Sequence, residues 1–308
     1  MSTYVIGVDI GGTNTRAALV SVERLVVVRE ESFPTRSAGR PEEFIRRLAE
    51  AIAALDERPQ AVGMGMAGLV APASGTILYS PNLPGWRDVP LAPALSRLVG
   101  LPVALNNDAN MAALGEQRAG AAKGLADVVC LTLGTGVGGG LILGGRLYRG
   151  ATGQAGEVGH VTVARRGGAR CGCGLRGHLE TFASATGLLR MAREGIAGGR
   201  KTALRPGEEL SAQRLFEAAA SGDRFARGLF ARMGRALGFA LGNLFNLLDL
   251  EAAVLVGGVA AAWEQFIPSL ERELHRRLLP RKEARILRGA LSDPGIIGAA
   301  CLALESRE

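Results

Sequence analysis

The stretch that decides the fold is YVIGVDIGGTNTRAALV, residues 4–20. Residues 4–9 form a mostly apolar run that predicts a buried strand, and the pair Gly11-Gly12 predicts a tight turn. Residues 15–20 predict the returning strand of a hairpin. The chain is therefore expected to open with a strand, a glycine turn and a second strand.

A second unit of the same kind occurs further along the chain. Residues 127–133 predict a strand, the glycines that follow predict a turn, and residues 139–143 predict the returning strand. After both units, strands alternate with segments of helical periodicity. This pattern predicts an α/β protein of two lobes with a central cleft. The small domain is expected at residues 1–118 and the large domain at 119–293, with a last helix at 294–308 that packs back on the small domain.

Two segments near these elements carry local signals. Residues 68–86 are rich in glycine and proline and are expected to form a loop. Asp293 followed by Pro294 predicts the capped start of the last helix.

Composition narrows the class of protein and its partners. The chain has 308 residues, of which 47% are hydrophobic and 21% charged, and these values exclude a disordered chain. The net charge is +7, but the positive residues are nearly all arginines spread along the sequence and are not interleaved with aromatic residues. A nucleic-acid partner is therefore not expected.

Targeting signals and cysteine content bear on the compartment. The opening residues have no basic start and include Asp9, so no signal peptide is expected, and no apolar run reaches the ~20 residues that cross a bilayer. The four cysteines suit a reducing compartment better than a disulfide framework. The sequence predicts a cytoplasmic protein without a membrane partner.

The glycine turns carry residue types that bind phosphate. Glycine lets backbone N–H groups approach an anion, and threonine adds a hydroxyl donor. Asp9, at the end of the first strand, is placed to hold Mg²⁺ through water. The pair Gly257-Gly258 follows another strand and opens a helix, which suits close approach of an adenosine. Tight hairpins and a tight strand-to-helix turn are the structural alternatives.

Two stretches match the GxGxxG spacing of dinucleotide-binding proteins, namely Gly134–Gly139 and Gly63–Gly68. In that fingerprint the last glycine opens a helix. Here a predicted strand and a predicted loop follow instead, so a nicotinamide cofactor is not expected.

The segment NNDAN, residues 106–110, lies between a short strand and a helix. Asp108 would stand at the carboxyl end of a strand, where open α/β sheets bind ligands. Asn107 or Asp108 could equally cap the helix, because both residue types do so well. Spacing alone leaves the two interpretations open.

The segment from Glu157 to Glu180 holds most of the polar chemistry. Two cysteines and two histidines in this region can form a tetrahedral zinc site, and the intervening glycines let the loop wrap an ion. Free thiols beside surface histidines are the alternative. Cys130 and Cys301 are expected to be small core residues.

Taken together, these motifs resemble the ROK family (repressors, uncharacterised reading frames and sugar kinases) of the actin-like ATPase superfamily. The resemblance covers essentially the whole chain and rests on the motifs DIGGTN, PNLPGW, NNDAN, LGTGVGGGLILGGRLYRGATGQAGEVGH, CGCGLRGHLE and LVGGV. It implies the two-lobed actin-like ATPase (ribonuclease H-like) fold. As activity it implies transfer of a phosphoryl group from ATP to a sugar.

The resemblance also implies roles for individual residues. Asp108 would be the general base that takes the proton from the primary hydroxyl of the sugar. The other hydroxyls would be bound by Asn107, Glu157, His160 and Glu180, with the loops at Gly68 and Asn82 closing over the ring. ATP and Mg²⁺ would be held by residues of the three glycine turns, namely Asp9, Gly11, Gly12, Thr13, Asn14, Thr135, Gly136, Gly257 and Gly258.

One position departs from the family pattern. The family presents three cysteines as CxCGxxGC, and His178 occupies the third place here. Histidine is itself a zinc ligand, so the expected ligands are His160, Cys171, Cys173 and His178. The zinc would be structural, because it would fix His160 and Glu180 against the sugar.

The expected function is that of an ATP-dependent hexokinase of the glucokinase type. Kinases for N-acetylglucosamine, N-acetylmannosamine or fructose are alternatives, because related sugars use the same ring contacts. A sugar-responsive regulator is the alternative outside enzymes. The repressors of the family carry a DNA-binding domain ahead of the core, whereas here the first hairpin begins at Tyr4, so repression is not expected. A homodimer or homotetramer is expected.

Overall fold

The computed structural model describes residues 3–35, 39–55, 58–80, 83, 85–205 and 207–306. By backbone contacts the chain divides into two compact units. The first unit comprises the residues up to Cys130, Gly140–Gly156 and the residues from Gly289 onward, and the second comprises Leu131–Gly139 and Glu157–Arg288. The domain boundary expected at residue 118 and the cleft between two lobes remain predictions.

The described residues form thirteen strands and nine α-helices. The strands are β1 (Tyr4–Ile10), β2 (Asn14–Ser21), β3 (Val26–Pro34), β4 (Val62–Met66), β5 (Leu69–Ala71), β6 (Thr76–Tyr79), β7 (Arg87–Val89), β8 (Val103–Asn107), β9 (Val128–Leu133), β10 (Val137–Leu143), β11 (Arg146–Leu147), β12 (Ala252–Val256) and β13 (Arg285–Arg288). The helices are α1 (Pro41–Ala53), α2 (Leu91–Val99), α3 (Asp108–Ala119), α4 (Glu180–Ala183), α5 (Ala185–Ala197), α6 (Ala212–Ala220), α7 (Arg224–Leu248), α8 (Trp263–His275) and α9 (Pro294–Glu305).

Two five-stranded sheets have the same arrangement. The strand order is β3-β2-β1-β4-β8 in one sheet and β11-β10-β9-β12-β13 in the other. In the first sheet, β1 pairs antiparallel with β2 and parallel with β4. In the second, β10 pairs antiparallel with β11, and β12 pairs parallel with β13. The prediction that the strand–turn–strand pattern is used twice is confirmed.

The core of the first sheet is closed on one face by α1. Pro41 occupies the first turn of this helix, where its missing N–H costs nothing. Phe44, Leu48 and Ile52 follow at helical spacing and are buried, as the sequence periodicity predicts. Trp86 packs edge-on against Phe44 at a centroid distance of 5.0 Å, so an aromatic pair seals this layer.

The last helix, α9, packs against β1, β4 and α3. Ile296 and the residues from there to Ala303 are all buried, as expected for a helix that is apolar all round. Asp293 stands at the N-cap position, but its side chain makes no capping hydrogen bond. Its carboxylate instead accepts a 2.5 Å hydrogen bond from Arg16. The prediction that Asp293 caps α9 is therefore wrong, because the guanidinium competes successfully for the carboxylate.

The segment expected to be a loop at residues 68–86 contains strands. β5 and β6 pair antiparallel, and β7 pairs with β6, to form a small third sheet. Val70 and Ile77 are buried on this sheet, while glycine and proline stand in its turns. The loop prediction was wrong because it rested on the glycine and proline of the turns, between which lie two short strands of three and four residues.

The longest helix, α7, has 25 residues, with Leu229, Met233, Leu237 and Leu241 buried along one stripe. Arginines are distributed along its other faces. Across the part of the chain that the structure describes, no helix combines the length and apolar character that crossing a membrane requires.

Candidate active site and metal centre

The first glycine turn joins β1 to β2 and is closed by backbone hydrogen bonds. The N–H of Gly11 donates to the carbonyl of Asn14 at 3.0 Å, and the N–H of Thr35 donates to the carbonyl of Thr13 at 2.8 Å. The Gly11 amide is thus used within the turn. Thr13 and Asn14 are exposed and form the outer side of the turn. Phosphate binding by these residues and by Gly12 remains a prediction.

Asp9 lies half-buried near the end of β1. Burial raises the pKa of its carboxyl group, the nearby Arg16 lowers it, and Asp293 raises it. The start of α9 is also close, because a Cβ on Gly295 would lie 3.8 Å from the carboxylate carbon. A desolvated carboxylate gains from a bound cation, so Asp9 suits the Mg²⁺ role expected for it.

The NNDAN segment joins β8 to α3, and Asn107 is the helix cap. Its Oδ1 accepts from the N–H groups of Ala109 at 2.8 Å and Asn110 at 3.4 Å, while its Nδ2 donates to the carbonyl of Gly68 at 3.1 Å. Asp108 is the first residue of the helix and is half-buried. The helix-cap interpretation is confirmed for Asn107. Asp108 stands next to it at the end of the strand, and its role in ligand binding remains a prediction.

The structure places Gly68 beside Asn107, in the loop that follows β4. A Cβ at Gly68 would lie 2.5 Å from the carbonyl oxygen of Tyr79, at the end of β6. This loop is therefore packed directly on the small third sheet. Asn82, the other residue expected to close over the sugar, lies outside the described residues.

The second glycine turn joins β9 to β10 and is held by the start of α5. The N–H of Gly134 donates to the carbonyl of Gly136 at 3.0 Å, which closes the turn. The carbonyl of Gly134 accepts from the N–H of Ala185 at 2.8 Å, and that of Thr135 accepts from the hydroxyl of Thr186 at 2.8 Å. Sequence reasoning missed this support, although a serine at position 184 before an apolar run is an ordinary N-cap signal.

Glu180 links this turn to the cysteine loop. Its Oε2 accepts from the N–H of Val137 at 3.1 Å, and its Oε1 accepts from the thiol of Cys171 at 3.4 Å. The fit is close, because a Cβ at Gly136 would lie 2.5 Å from Oε2. Glycine at position 136 is therefore what admits the carboxylate.

The four residues expected to bind zinc come together. Their ligand atoms all lie within 4.8 Å of one another. The Nδ1 atoms of His160 and His178 are 3.3 Å apart, Cys171 Sγ is 3.7 Å from His160 Nδ1, and Cys173 Sγ is 3.4 Å from His178 Nδ1. Tetrahedral zinc with ordinary bond lengths separates two ligand nitrogens by about 3.3 Å and a nitrogen and a sulfur by about 3.5 Å.

Burial and chemistry of the cluster also suit a metal. Cys171 and His178 are buried, whereas His160 and Cys173 are exposed. Burial raises the pKa of the Cys171 thiol, so a cation is needed to hold it as the thiolate that binds metal. Two thiolates and two imidazoles are the donor set of structural zinc sites.

Residues expected to bind sugar surround this cluster. The Nε2 of His160 lies 3.8 Å from a carboxylate oxygen of Glu157. His160 turns its Nδ1 to the cluster, and Glu180 is tied to Cys171. The second unit therefore holds Glu157, His160 and Glu180 as one group around a candidate metal centre.

The third glycine pair divides between two roles. Gly257 has φ +95°, and a Cβ there would lie 2.6 Å from the carbonyl oxygen of Leu133, so this residue serves the tight turn after β12. Gly258 has open space where a Cβ would stand. The helix expected to begin at Val259 opens as a 3₁₀ helix, Gly258–Ala262, before α8. Both glycines are exposed, and the binding of adenosine by this pair remains a prediction.

The repeated sheet, the paired glycine turns and the histidine–cysteine loop define one class of protein. The sequence profile of the ROK family matches residues 5–306, nearly the whole chain. The chain belongs to the ROK family. The resemblance drawn from its motifs is confirmed.

Individual relatives include both kinases and regulators. The chain is 37% identical to the glucokinase of Halalkalibacterium halodurans over 97% of this chain and 94% of the relative. It is similar to the crystal structure of a ROK family glucokinase from Streptomyces griseus in complex with glucose and AMPPNP, with a TM-score of 0.83, 36% identity, and 98% and 99% of the two chains covered. A ROK family transcriptional regulator, a homologue of the E. coli MLC protein, matches with a TM-score of 0.90 and 26% identity over 99% of this chain and 78% of its own. The predicted α/β fold class, that of the actin-like ATPases, is confirmed.

Proposed function

We propose that this chain transfers the γ-phosphoryl group of ATP to the primary hydroxyl of a hexose, with D-glucose as the preferred substrate and glucose 6-phosphate as the product. The observation that carries the proposal is the likeness to glucokinases along almost the full chain. The geometry adds support, because Asp108 stands at a strand end beside Asn107 and the loop of Gly68.

Asp108 supplies the general base of this reaction. As the primary hydroxyl oxygen attacks the γ-phosphorus, its proton passes to the carboxylate of Asp108, the bond from phosphorus to the β,γ-bridging oxygen breaks, and ADP leaves. Phosphoryl transfer needs alignment and charge neutralisation more than covalent work by the protein. A positioned base contributes about 10²–10⁴-fold to the rate.

The glycine turns bind the phosphates of ATP and help to neutralise their negative charge. The turn residues Gly11 to Asn14, with Thr135 and Gly136, hold the phosphates, while Gly257 and Gly258 line the adenosine. Mg²⁺, when bound, neutralises phosphate charge, and Asp9 is the residue that would hold it. Support for this role comes from the burial of Asp9, which raises its pKa and makes a neighbouring cation favourable.

The hydrogen bonds already made within the protein limit which atoms of the sugar-binding residues can contact the sugar. The Oδ1 of Asn107 is committed to the helix cap, so its sugar contact comes from Nδ2, which has one hydrogen left after the bond to Gly68. If Nδ1 of His160 binds zinc, its Nε2–H remains to donate to a sugar hydroxyl. Glu157 and Glu180 accept from further hydroxyls. The zinc is structural in this proposal and holds His160, Cys171, Cys173 and His178 together.

A coupled ADP-release assay tests the proposal. The panel contains glucose, mannose, fructose, N-acetylglucosamine and N-acetylmannosamine, each with ATP and Mg²⁺. We expect the highest kcat/KM with glucose, and release with glucose about 10²–10⁴-fold slower when Asp108 is replaced by asparagine. A preference for an acetamido sugar or fructose would move the substrate assignment to the alternatives, and a flat response across the panel would contradict the sugar-kinase proposal.

The second candidate function is a sugar-responsive regulator, and the likeness to the ROK transcriptional regulator favours it. A regulator would bind sugar without turning ATP over. Calorimetry with glucose beside the ADP-release assay separates the two, because binding without release supports only the regulator. The homodimer or homotetramer expected from the resemblance is measured by sedimentation velocity.

A further inference from the structure

A cavity in the first unit lies beside the edge strand β8 and is separate from the residues to which roles have been given above. Its volume is about 740 Å³, and its wall includes Asn106, Arg118, Arg146, Arg149 and Glu305. The volume falls within the range of small-molecule sites, about 300–1,000 Å³, and exceeds what a single inorganic ion needs. None of the described residues of this wall belongs to the proposed phosphoryl-transfer site.

The cavity carries excess positive charge. Glu305 is shared by two arginines, since its Oε1 lies 3.3 Å from Arg118 Nη2 and its Oε2 lies 3.3 Å from Arg149 Nη2. Arg146 is exposed and forms no ion pair with any residue that the structure describes. Among the described residues of the wall there are thus three guanidinium groups and one carboxylate, which leaves an excess of two positive charges.

Two residues of the cavity wall each carry a buried donor that has no acceptor among the described residues. Asn106 is fully buried, and its Oδ1 accepts from the N–H of Asn107 at 2.8 Å and from Asn110 Nδ2 at 3.0 Å. Its Nδ2 has no partner among the described residues, and neither does the buried Nε of Arg149. Both atoms lie behind the cavity surface, where solvent does not reach them, so the charge of the arginines is what the cavity offers to a ligand.

A second cavity lined by arginines lies in the second unit, and its positive charge alone does not identify it as a ligand site. Its volume is about 350 Å³, and four arginines contribute to its wall. Arg190 binds Glu194 and the carbonyl of Thr181, and Arg232 lies over the ring of Phe182 at 5.1 Å. Arg176 also donates to a protein carbonyl, that of Gly168, so three of the four arginines are engaged by structural partners of their own and this smaller cavity carries no ligand assignment.

We infer that the cavity beside β8 binds a phosphomonoester dianion carried on a molecule of about hexose size. The two charges of the dianion match the excess of two positive charges at the wall. Guanidinium groups bind phosphate oxygens in a two-pronged geometry, and Arg146 has no competing ion pair among the described residues. The inference goes beyond the proposed function and does not depend on it, because none of the lining residues is given a part in phosphoryl transfer.

Isothermal titration calorimetry tests the inference. The chain is first saturated with glucose and AMPPNP so that any sugar and nucleotide sites are filled, and glucose 6-phosphate or inorganic phosphate is then titrated in separate experiments, with sorbitol as the uncharged probe. We expect about one glucose 6-phosphate site per chain. Arg146→Ala is expected to weaken this binding about tenfold or more. Arg97→Ala removes the same charge from an exposed position on α2 and is expected to change the affinity less than about twofold.

The outcomes distinguish the source of the phosphate. Tighter binding of glucose 6-phosphate than of inorganic phosphate, with dependence on Arg146, supports a phosphorylated sugar. Equal binding of inorganic phosphate with the same dependence supports free phosphate as the ligand of the site. Absence of binding by both anions, or equal affinity in the wild-type and Arg146→Ala chains, would overturn the inference. Arg149→Ala is the second variant, and the melting temperature of each variant checks that it folds.

Discussion

The two glycine turns begin from the same sequence pattern but are anchored in different ways. The first turn is held by the backbone, through the bond from Thr35 that follows β3 and the bond within the turn to Asn14. The second turn is also closed by a backbone bond, from Gly134 to Gly136, but it is held in addition by the start of α5 and by the Glu180 carboxylate, which accepts the N–H of Val137. One turn therefore depends on its own sheet, whereas the other depends on a distant loop.

The difference extends to charge and to the metal centre. Asp9 stands two residues before the first glycine of the first turn, and Thr132 has the same place before the second turn. The strand before the first turn therefore offers a carboxylate for Mg²⁺, and the strand before the second turn has a threonine at the same place. The second turn is instead connected through Glu180 to the segment of the histidine–cysteine cluster, because Glu180 follows His178 by two residues and accepts the S–H of Cys171 while that residue is a thiol. The two turns are not equivalent, and perturbations of the metal centre should reach only the second.

The largest expected effect comes from a residue outside both turns. Asp108→Asn keeps the size of the side chain and removes the base, so we expect kcat to fall by about 10²–10⁴-fold. Binding of glucose and of AMPPNP should change by only a few-fold, because neither turn is altered. Steady-state kinetics and calorimetry measure the two quantities. Near-normal turnover would show that another residue takes the proton.

Loss of the metal should separate the two turns. We expect about one Zn²⁺ per purified chain, and we expect Cys171→Ser to lower that content and to raise the KM for glucose about tenfold, because the loop would no longer fix His160 and Glu180. The dependence on Mg²⁺, which belongs to the first turn, should stay unchanged. Metal analysis and kinetics provide the measurements.

A matched cysteine variant controls this experiment. Cys301 is buried in α9, in the other unit from the cluster, so Cys301→Ala should leave the metal content at the wild-type value. A metal-free preparation with full activity and normal glucose KM would contradict the structural role of zinc.

Two neighbouring glycines sharpen the comparison further. Gly136→Ala would place a Cβ 2.5 Å from the Glu180 carboxylate, whereas Gly134→Ala would meet nothing within 4 Å. We expect Gly136→Ala to raise the KM for glucose and for ATP about fivefold by displacing Glu180, with a much smaller change for Gly134→Ala. Kinetics of the two variants side by side test this. Equal effects of both would mean that Glu180 does not control the second turn.

The features predicted correctly from the sequence are those that depend on residues close together in the chain. Strand and turn composition defined both hairpins, and residue types at the start of α3 and in the cysteine loop identified Asn107, Asp108 and the four candidate ligands. The bond from Val137 to Glu180 could not be predicted, because it joins residues 43 positions apart. Such a bond depends on packing between segments, and no local pattern reports it. The small third sheet was missed because its strands are shorter than a periodicity needs.

The smallest expected effect concerns the carboxylates beside the first turn, which shift in opposite directions. Burial raises the pKa of Asp9, whereas the hydrogen bond from Arg16 lowers the pKa of Asp293. A raised pKa means that the folded chain holds the proton more tightly, so the stability from Asp9 is present at low pH and is lost as the pH rises through its folded pKa. For Asp293 the stability is present above the unfolded pKa and is lost as the pH falls through its folded pKa.

The two asparagine variants should therefore move the melting temperature in opposite directions at pH 7 without Mg²⁺. Asp9→Asn removes an unfavourable buried charge and should raise it by about 1–2 °C, and Asp293→Asn removes a favourable ion pair and should lower it by about 1–3 °C. Both differences should shrink toward zero below about pH 4, where carboxylates are protonated even in the unfolded chain. Calorimetry from pH 3 to pH 8 measures this. If both variants lowered the melting temperature, Arg16 would stabilise both carboxylates. Asp9 would then lack the uncompensated negative charge that favours binding of Mg²⁺.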